Sequence, residues 1–284
     1  MGEKSESDVS PVPRFNLSRE EYLKMDPVEF RARFRERLHH TLEIQTYAAI
    51  HFGKALSPEQ TKTVETLLEL WQERGLPADL PDCRWGKTIL QFARKTQTGE
   101  TVDLSPYATK PVGKDGYELF RRIVGERRSV RHWSDREVPD SLIDEILRTG
   151  TWGAHSCNLQ SVRFAVVREK NEPGLFRGAD IPGGPVHLVA LQDERVYRAN
   201  PLNPVRNRLI DVGAAVQNMV LAAHALGLGG VWLTFSDAML ERLYKRFGLP
   251  EEVKIVTYLD VGYPAQTPAP PLRLDLDETV LVRI

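Results

Sequence analysis

The sequence predicts an α+β fold: a short mixed sheet flanked by helices, preceded by an all-helical region. Three observations lead there. Helical patterns recur from Asp26 to Lys95 without a strand between. Beyond them, four apolar runs of strand length alternate with amphipathic helices. And two helices precede the first of those strands. A doubly wound dinucleotide fold would instead begin with a strand and a glycine-rich turn.

Each element has a local signal. Residues 1–13 are polar and rich in Ser, Glu and Pro, and read as a disordered tail. Asp26-Pro27 is a cap followed by a first-turn proline. The apolar pattern then runs through Phe30, Phe34, Leu38 and Leu42 to a stop at Gly53. Arg31, Arg33, Arg35 and Arg37 are interleaved with it and read as a solvated face. Ser57-Pro58-Glu59-Gln60 is a capping box. Its helix carries Val64, Leu67, Leu68 and Trp71 on one face and ends at Gly75. A shorter helix is expected over Lys87–Lys95. Thr98–Gly116 has no period, so the boundary falls there: 14–115 helical, 116–284 a second domain.

In the second domain a helix spans Tyr117–Glu126, with Leu119, Phe120, Ile123 and Val124 expected to face inward. Pro139-Asp140 opens another. Strands are expected at Val162–Val167, Val186–Leu191, Val231–Phe235 and Val253–Val261, and a terminal one at Thr279–Ile284. Arg208–Leu226 is apolar nearly all round and reads as a central buried helix. Asp237–Phe247 is a helix with Gly248 beyond its end.

Composition narrows the function classes. The 284 residues carry 38 Lys and Arg against 39 Asp and Glu, a net charge of −1 that argues against a polyanion binder. Neither nucleic acid nor membrane is an expected partner. The longest apolar region, Val212–Phe235, is interrupted by Gln217, Asn218 and His224 and reads as helix then strand, not a membrane span. Two cysteines, Cys83 and Cys157, make no disulfide framework, and no leader peptide is evident, so the cytoplasm is the expected location. Phosphate-loop, HExxH, CxxC and GxSxG motifs are missing, and no metal site is expected.

Three segments could carry chemistry. Arg127-Arg128-Ser129-Val130-Arg131 holds three cations and a hydroxyl, and guanidinium forks match phosphate oxygens. Taken alone, it is equally a basic turn complementing a helix C-terminus. Ala154–Gln160 gathers small polar groups before the first strand, as an ordinary turn also can. Arg273 follows a proline-rich approach.

Together with Asp135–Pro139, Asp211-Val212-Gly213-Ala214-Ala215-Val216-Gln217-Asn218, Ala225–Gly229 and Asp260-Val261-Gly262-Tyr263-Pro264, these segments resemble the nitroreductase family in order, over about Gly116–Ile284. Each motif is weak alone; the ordered set is specific. The resemblance implies a nitroreductase-like FMN-dependent oxidoreductase, a homodimer with FMN at its interface. It would use NADH or NADPH to reduce a nitroaromatic, quinone or enone by ping-pong transfer. It further implies that Arg127, Arg128, Ser129 and Arg273 hold the phosphate and ribityl chain, with Arg131 beside the flavin N1/C2 edge. His155, Ser156, Asn158 and Gln160 would reach the flavin from the partner subunit. Leu233, Thr234 and Phe235 would line the N5 edge, and Thr234, Arg131 and His155 are the candidate catalytic residues.

Thr234 resembles the deiodinase and flavin-destructase branches, although strand propensity accounts for a threonine equally well. Reductive dehalogenation, flavin modification and non-catalytic flavin binding are therefore alternative readings. The family's usual Pro-Ser is here Ala154-His155, and its Gln-Pro-Trp is Gln160-Ser161-Val162. Arg168–Pro185 is shorter than the helical insertion common in the family, so the N-terminal helices are expected to cover the pocket instead.

Overall fold

The computed structural model describes residues 17–178 and 183–284. The expected tail, 1–13, lies outside the described residues. The N-terminal helices are α1 (Arg19–Lys24), α2 (Pro27–Arg37), α3 (Ile44–Phe52), α4 (Pro58–Glu73) and α5 (Pro81–Gln97). Their caps are those legible in the sequence. Asp26 accepts from the Val28 and Glu29 amides at 2.9 and 3.1 Å, Ser57 and Gln60 form a capping box, and Gly53 ends α3 at φ 64°. A π-helical stretch, Leu38–Glu43, joins α2 to α3. Phe30, Phe34, Leu42, Leu67 and Trp71 are fully buried in this body's core. Gly86 is required there, because a Cβ would stand 2.7 Å from the Phe34 ring. The helix expected over Lys87–Lys95 is longer, starting at Pro81.

The arginines of α2 correct the expectation of a solvated face. Arg35 and Arg37 are buried, with Glu36 between them. The reason is tertiary: α2 lies against the second body. Ala32 packs with Leu159, Val196, Tyr197 and Ala199, Arg195 meets Asp26 at 3.2 Å, and Arg198 meets Glu29 at 3.3 Å. Buried Glu36 also lies 2.9 Å from His40 Nδ1, and its carboxylate holds the His40 pKa above the ordinary value. A histidine whose folded pKa is raised contributes stability that is complete below its unfolded pKa, about 6.5, and fades as pH rises through the folded value. The stability advantage of the wild type over His40→Gln, measured by urea unfolding, is expected to shrink between about pH 6 and pH 8. An advantage that stays constant over that range would exclude the ion pair as its source.

The second body contains α6 (Gly113–Glu126), α7 (Asp140–Gly150), β1 (Val162–Arg168), β2 (Val186–Asp193), α8 (Val205–Ala225), β3 (Gly229–Leu233), α9 (Asp237–Phe247), β4 (Val253–Gly262) and α10 (Leu276–Thr279). The sheet order is β1-β2-β4-β3. These ladders are antiparallel, and a parallel bridge from Ser129 to Gly230 adds to the β3 edge. β2 is buried along its whole length. Leu188 and Ala190 face α7 and α8, among Ile146, Val216 and Met219. Val189 and Leu191 face α9, among Tyr258, Met239 and Leu243. Alternation therefore buries both faces of the central strands.

Three expectations are corrected. β3 begins and ends two residues earlier than Val231–Phe235, leaving Thr234 and Phe235 just beyond it. Gly229 and Gly230 belong to the strand because a Cβ on Gly229 would lie 2.7 Å from Val130. Residues 280–284 form no strand; α10 precedes an exposed end that pairs with no described strand. And α6 buries none of its residues: Leu119 and Phe120 are 57% and 55% exposed. Its apolar stripe exists, but the described residues leave it largely uncovered. α8 likewise buries Val212, Val216 and Met219 yet exposes Leu209 and Ile210.

Candidate functional site

Residues 127–134 leave α6 and lie across the adjoining ends of β3 and β4. Val130 N donates to Gly230 O at 3.2 Å, and Ser134 N to Tyr263 O at 2.9 Å. The Trp133 indole donates to Gly229 O at 3.0 Å, and Arg131 N to Gln266 Oε1 at 3.1 Å. This docking fixes the backbone while the arginine side chains stay uncommitted to acids. Arg128 Nη1 donates only to the Gly125 and Arg127 carbonyls, at 2.7 and 2.9 Å. Arg131 reaches only Ser129 O, at 3.5 Å, and Arg273 only Leu272 O, at 2.8 Å.

Among the described residues none of Arg127, Arg128, Arg131 and Arg273 forms an ion pair. Burial lowers the pKa of half-buried Arg127, and the Arg273 and Arg128 guanidinium charges lower it further. Those three cations therefore converge with no ion pair of their own among the described residues; the nearby Glu126 carboxylate is bonded to Arg122, although it still feels the Arg128 charge. A cavity of about 270 Å³ beside them is lined by Glu126, Arg127, Arg128, His224, Gly230 and Thr267, among others. An oxyanion there would relieve the repulsion. The donor set fits a phosphate and, with the half-buried β3 end three residues beyond Gly230, an elongated ligand such as FMN.

The second candidate group is the loop after α7. Gly153 lets it approach α8 closely, since a Cβ would stand 2.8 Å from Ala215 N. Ser156 is less free than expected: its amide and hydroxyl meet Asp211 Oδ1 at 2.9 and 3.0 Å. Tyr197 donates to Asp211 Oδ2 at 2.9 Å, and burial pushes its phenol pKa upward, keeping it a donor. Cys157, Asn158 and Gln160 all adopt left-handed backbone, with φ of 52°, 51° and 54°. Gln160 Nε2 donates to Asn158 Oδ1 at 3.2 Å, and Arg35 Nη2 to Leu159 O at 2.8 Å. Burial raises the Cys157 pKa, so its thiol is protonated at neutral pH.

His155 Nδ1 lies 2.6 Å from Gly153 O. In the neutral ring that nitrogen carries the proton, and Nε2, buried without a partner, presents a lone pair. No hydrogen bond or ion pair among the described residues joins this loop to the 127–131 segment. Leu233 closes β3, and its carbonyl accepts from Thr257 Oγ1 at 2.5 Å. Thr234 is exposed and its hydroxyl makes no hydrogen bond to the described residues. Phe235 packs beside Tyr258, with ring centroids 4.6 Å apart.

Sequence reasoning missed several organisers. Asp211 carried a signal, as an acid at the start of an otherwise apolar helix run. Tyr197, Gln266 and Arg35 carried none, because their partners lie far away in the chain.

The profile of the Nitroreductase family matches residues 124–181 and 172–263. A protein of Methanothermobacter thermautotrophicus, provisionally named an NADH dehydrogenase/NAD(P)H nitroreductase, is 34% identical over 152 residues, covering 51% of this chain and 77% of that protein. The FMN reductase [NAD(P)H] of Bacillus subtilis is 26% identical over 175 residues, covering 55% of this chain and 70% of its own. A provisionally named nitroreductase from Desulfovibrio desulfuricans, crystallised in complex with FMN, superposes with a TM-score of 0.50. It is 29% identical and covers 62% of this chain and 99% of its own. On the fold, the ordered motifs and these matches, the chain belongs to the nitroreductase family.

Proposed function

We propose that this protein is an FMN-dependent oxidoreductase. It would take electrons from NADH or NADPH and deliver them, in a ping-pong cycle, to a nitroaromatic, quinone or enone. The observation that carries the reading is the convergence of Arg127, Arg128 and Arg273, none of them in an ion pair among the described residues, at a cavity whose one acid, Glu126, is bonded to Arg122. The relatives' names and the neighbour holding FMN support the same cofactor. FMN, when bound, accepts electrons from the nicotinamide and passes them to the second substrate.

Arg127, Arg128, Ser129 and Arg273 would bind the phosphate and ribityl chain. Arg131, anchored by Gln266, would place its charge at the N1/C2 edge, where negative charge develops on reduction. The Leu233–Phe235 backbone would line the N5 edge, with the Thr234 hydroxyl offering a hydrogen bond. His155, Ser156, Asn158 and Gln160 would complete the site from a partner subunit. In the neutral ring, the unpartnered His155 Nε2 would offer a hydrogen-bond acceptor to a bound ligand.

The exposed apolar faces of α6 and α8 support a homodimer. No described helix is long and apolar enough to cross a membrane, and two free cysteines suit a reducing cytoplasm. We place the domain boundary between the helical N-terminal region, 14–115, and the FMN-binding region, 116–284.

The visible spectrum of the purified protein tests this directly. A yellow protein bleached by anaerobic NADPH and restored by a nitroaromatic is the expected result; a colourless protein that takes up no FMN would refute it. Arg131→Ala is expected to slow flavin reduction by about tenfold or more, with a smaller effect on FMN affinity. Equal losses in both would make Arg131 an anchor only.

A further inference from the structure

We infer that the cavity between the start of α2 and the start of β1 is a binding site for an oxyanion, a phosphate or carboxylate group, held by Arg31, Arg35 and Arg163. The cavity measures about 290 Å³ and is lined by Pro27, Val28, Arg31, Arg35, Gln160 and Arg163, with no carboxylate in its wall. It shares no lining residue with the Arg127 cavity.

Charge pairing around it is incomplete. Arg31 Nε and Arg35 Nη1 share one oxygen, Asp82 Oδ2, at 2.7 and 3.1 Å. Arg163 Nη1 donates only to the Gln160 and Val162 carbonyls, at 2.7 and 2.9 Å. No ion pair to Arg163 forms among the described residues. The nearest further acid, Asp193, is engaged by Arg195 Nε and Nη2 at 2.9 and 2.7 Å. Three cations thus face the cavity with two carboxylates behind them: Asp82, shared by Arg31 and Arg35, and Asp193, which attracts Arg163 but is bonded to Arg195.

The cost of this arrangement is visible at Arg35. Its side chain is 7% exposed, its Nε is buried with no partner, and burial pushes its pKa down to about 10. Leu159 and Asp82 account for two of its donors. They leave unexplained why Arg31 and Arg163 point their charge at the same space. Small-ligand pockets start at about 300 Å³, so this one suits a small anion or the charged end of a larger molecule. Planar guanidinium groups on several sides match the several oxygens of phosphate or carboxylate.

Gln160 is the wall shared with the loop we assign to FMN, so under the proposed function two sources supply the anion. One is the 2′-phosphate of NADPH; the other is a carboxylate on the electron acceptor.

The test titrates inorganic phosphate into FMN-loaded full-length protein by calorimetry at constant ionic strength, so that the Arg127 site is already filled. Saturable binding of one phosphate per chain is expected, weakened about tenfold or more by Arg163→Gln and by Arg31→Gln, and partly restored by Arg163→Lys. Circular dichroism checks folding, and Arg31→Gln carries the test if Arg163→Gln does not fold. No saturable binding to the wild type, or unchanged affinity in both variants, would overturn the site.

Kinetics on Arg163→Gln separate the sources. A raised KM for NADPH but not NADH identifies the 2′-phosphate. A raised KM for 4-nitrobenzoate but not 4-nitrobenzyl alcohol identifies the acceptor. Unchanged KM values with weakened phosphate binding identify a separate oxyanion ligand at the same site. A protein that takes up no FMN yet binds phosphate through Arg163 overturns the functional reading and leaves this one standing.

Discussion

Arg127→Ala is expected to weaken FMN binding by about ten- to a hundredfold, the loss of one charge-assisted contact worth about 1.5–3 kcal/mol. The same substitution is expected to leave the FMN-free protein at least as stable as the wild type. Half-buried Arg127 sits beside Arg273 and Arg128 with no ion pair of its own among the described residues, and burial and both neighbours depress its pKa. Removing that cation relieves repulsion in the empty protein and removes an anchor in the loaded one. The opposite signs set this site apart from an ordinary structural arginine, whose loss lowers stability whether or not ligand is present. Fluorescence titration with FMN and thermal unfolding of both forms measure the two effects. Unchanged FMN affinity would remove Arg127 from the phosphate site, and Arg273→Ala, from the other end of the domain, should repeat the loss of affinity.

Phe120→Glu and Ile210→Glu are expected to split the proposed homodimer, raising its dissociation constant at least about a hundredfold. Both side chains are more than half exposed in the single chain, at 55% and 59%, so neither substitution should unfold the monomer. In a two-fold assembly each change is made twice. Burying an apolar side chain of this size contributes about 1.5–3 kcal/mol, and an unpaired carboxylate in its place adds a desolvation cost. With the partner's loop gone, FMN should be lost at protein concentrations where the wild type keeps it. A variant that stays dimeric and yellow would show that these faces meet nothing in a second copy.

The sequence was most legible where structure is local. The Asp26-Pro27 cap, the Ser57 capping box and the Gly53 and Gly248 stops concern neighbouring residues, and backbone amides near a chain break need partners whatever surrounds them. The strands showed through their alternation. The misreadings have tertiary causes. Arg35 and Arg37 looked like solvent-facing residues because nothing nearby in sequence reveals that α2 lies against residues 194–199 and Leu159. The stripe on α6 was read correctly as apolar and wrongly as covered by its own chain. Gly229 and Gly230 lay outside the expected strand, Val231–Phe235, although both belong to β3, where the close approach of Val130 excludes a side chain at Gly229.

In the site, Arg127–Arg131 and Arg273 were legible because their order along the chain matched a family. Asp211 holding Ser156, and Arg35 holding Leu159, join residues 55 and 124 positions apart and left no local trace. The N-terminal helices touch the 155–160 loop through Arg35, which donates to Leu159 O.

Sedimentation velocity of the purified protein, read at the flavin absorbance and at the protein absorbance together, tests the central claim most directly. The account predicts one boundary in which flavin travels with a species of twice the 32.2 kDa chain mass. Flavin travelling with a single chain, or protein sedimenting with no flavin at all after incubation with FMN, would contradict it.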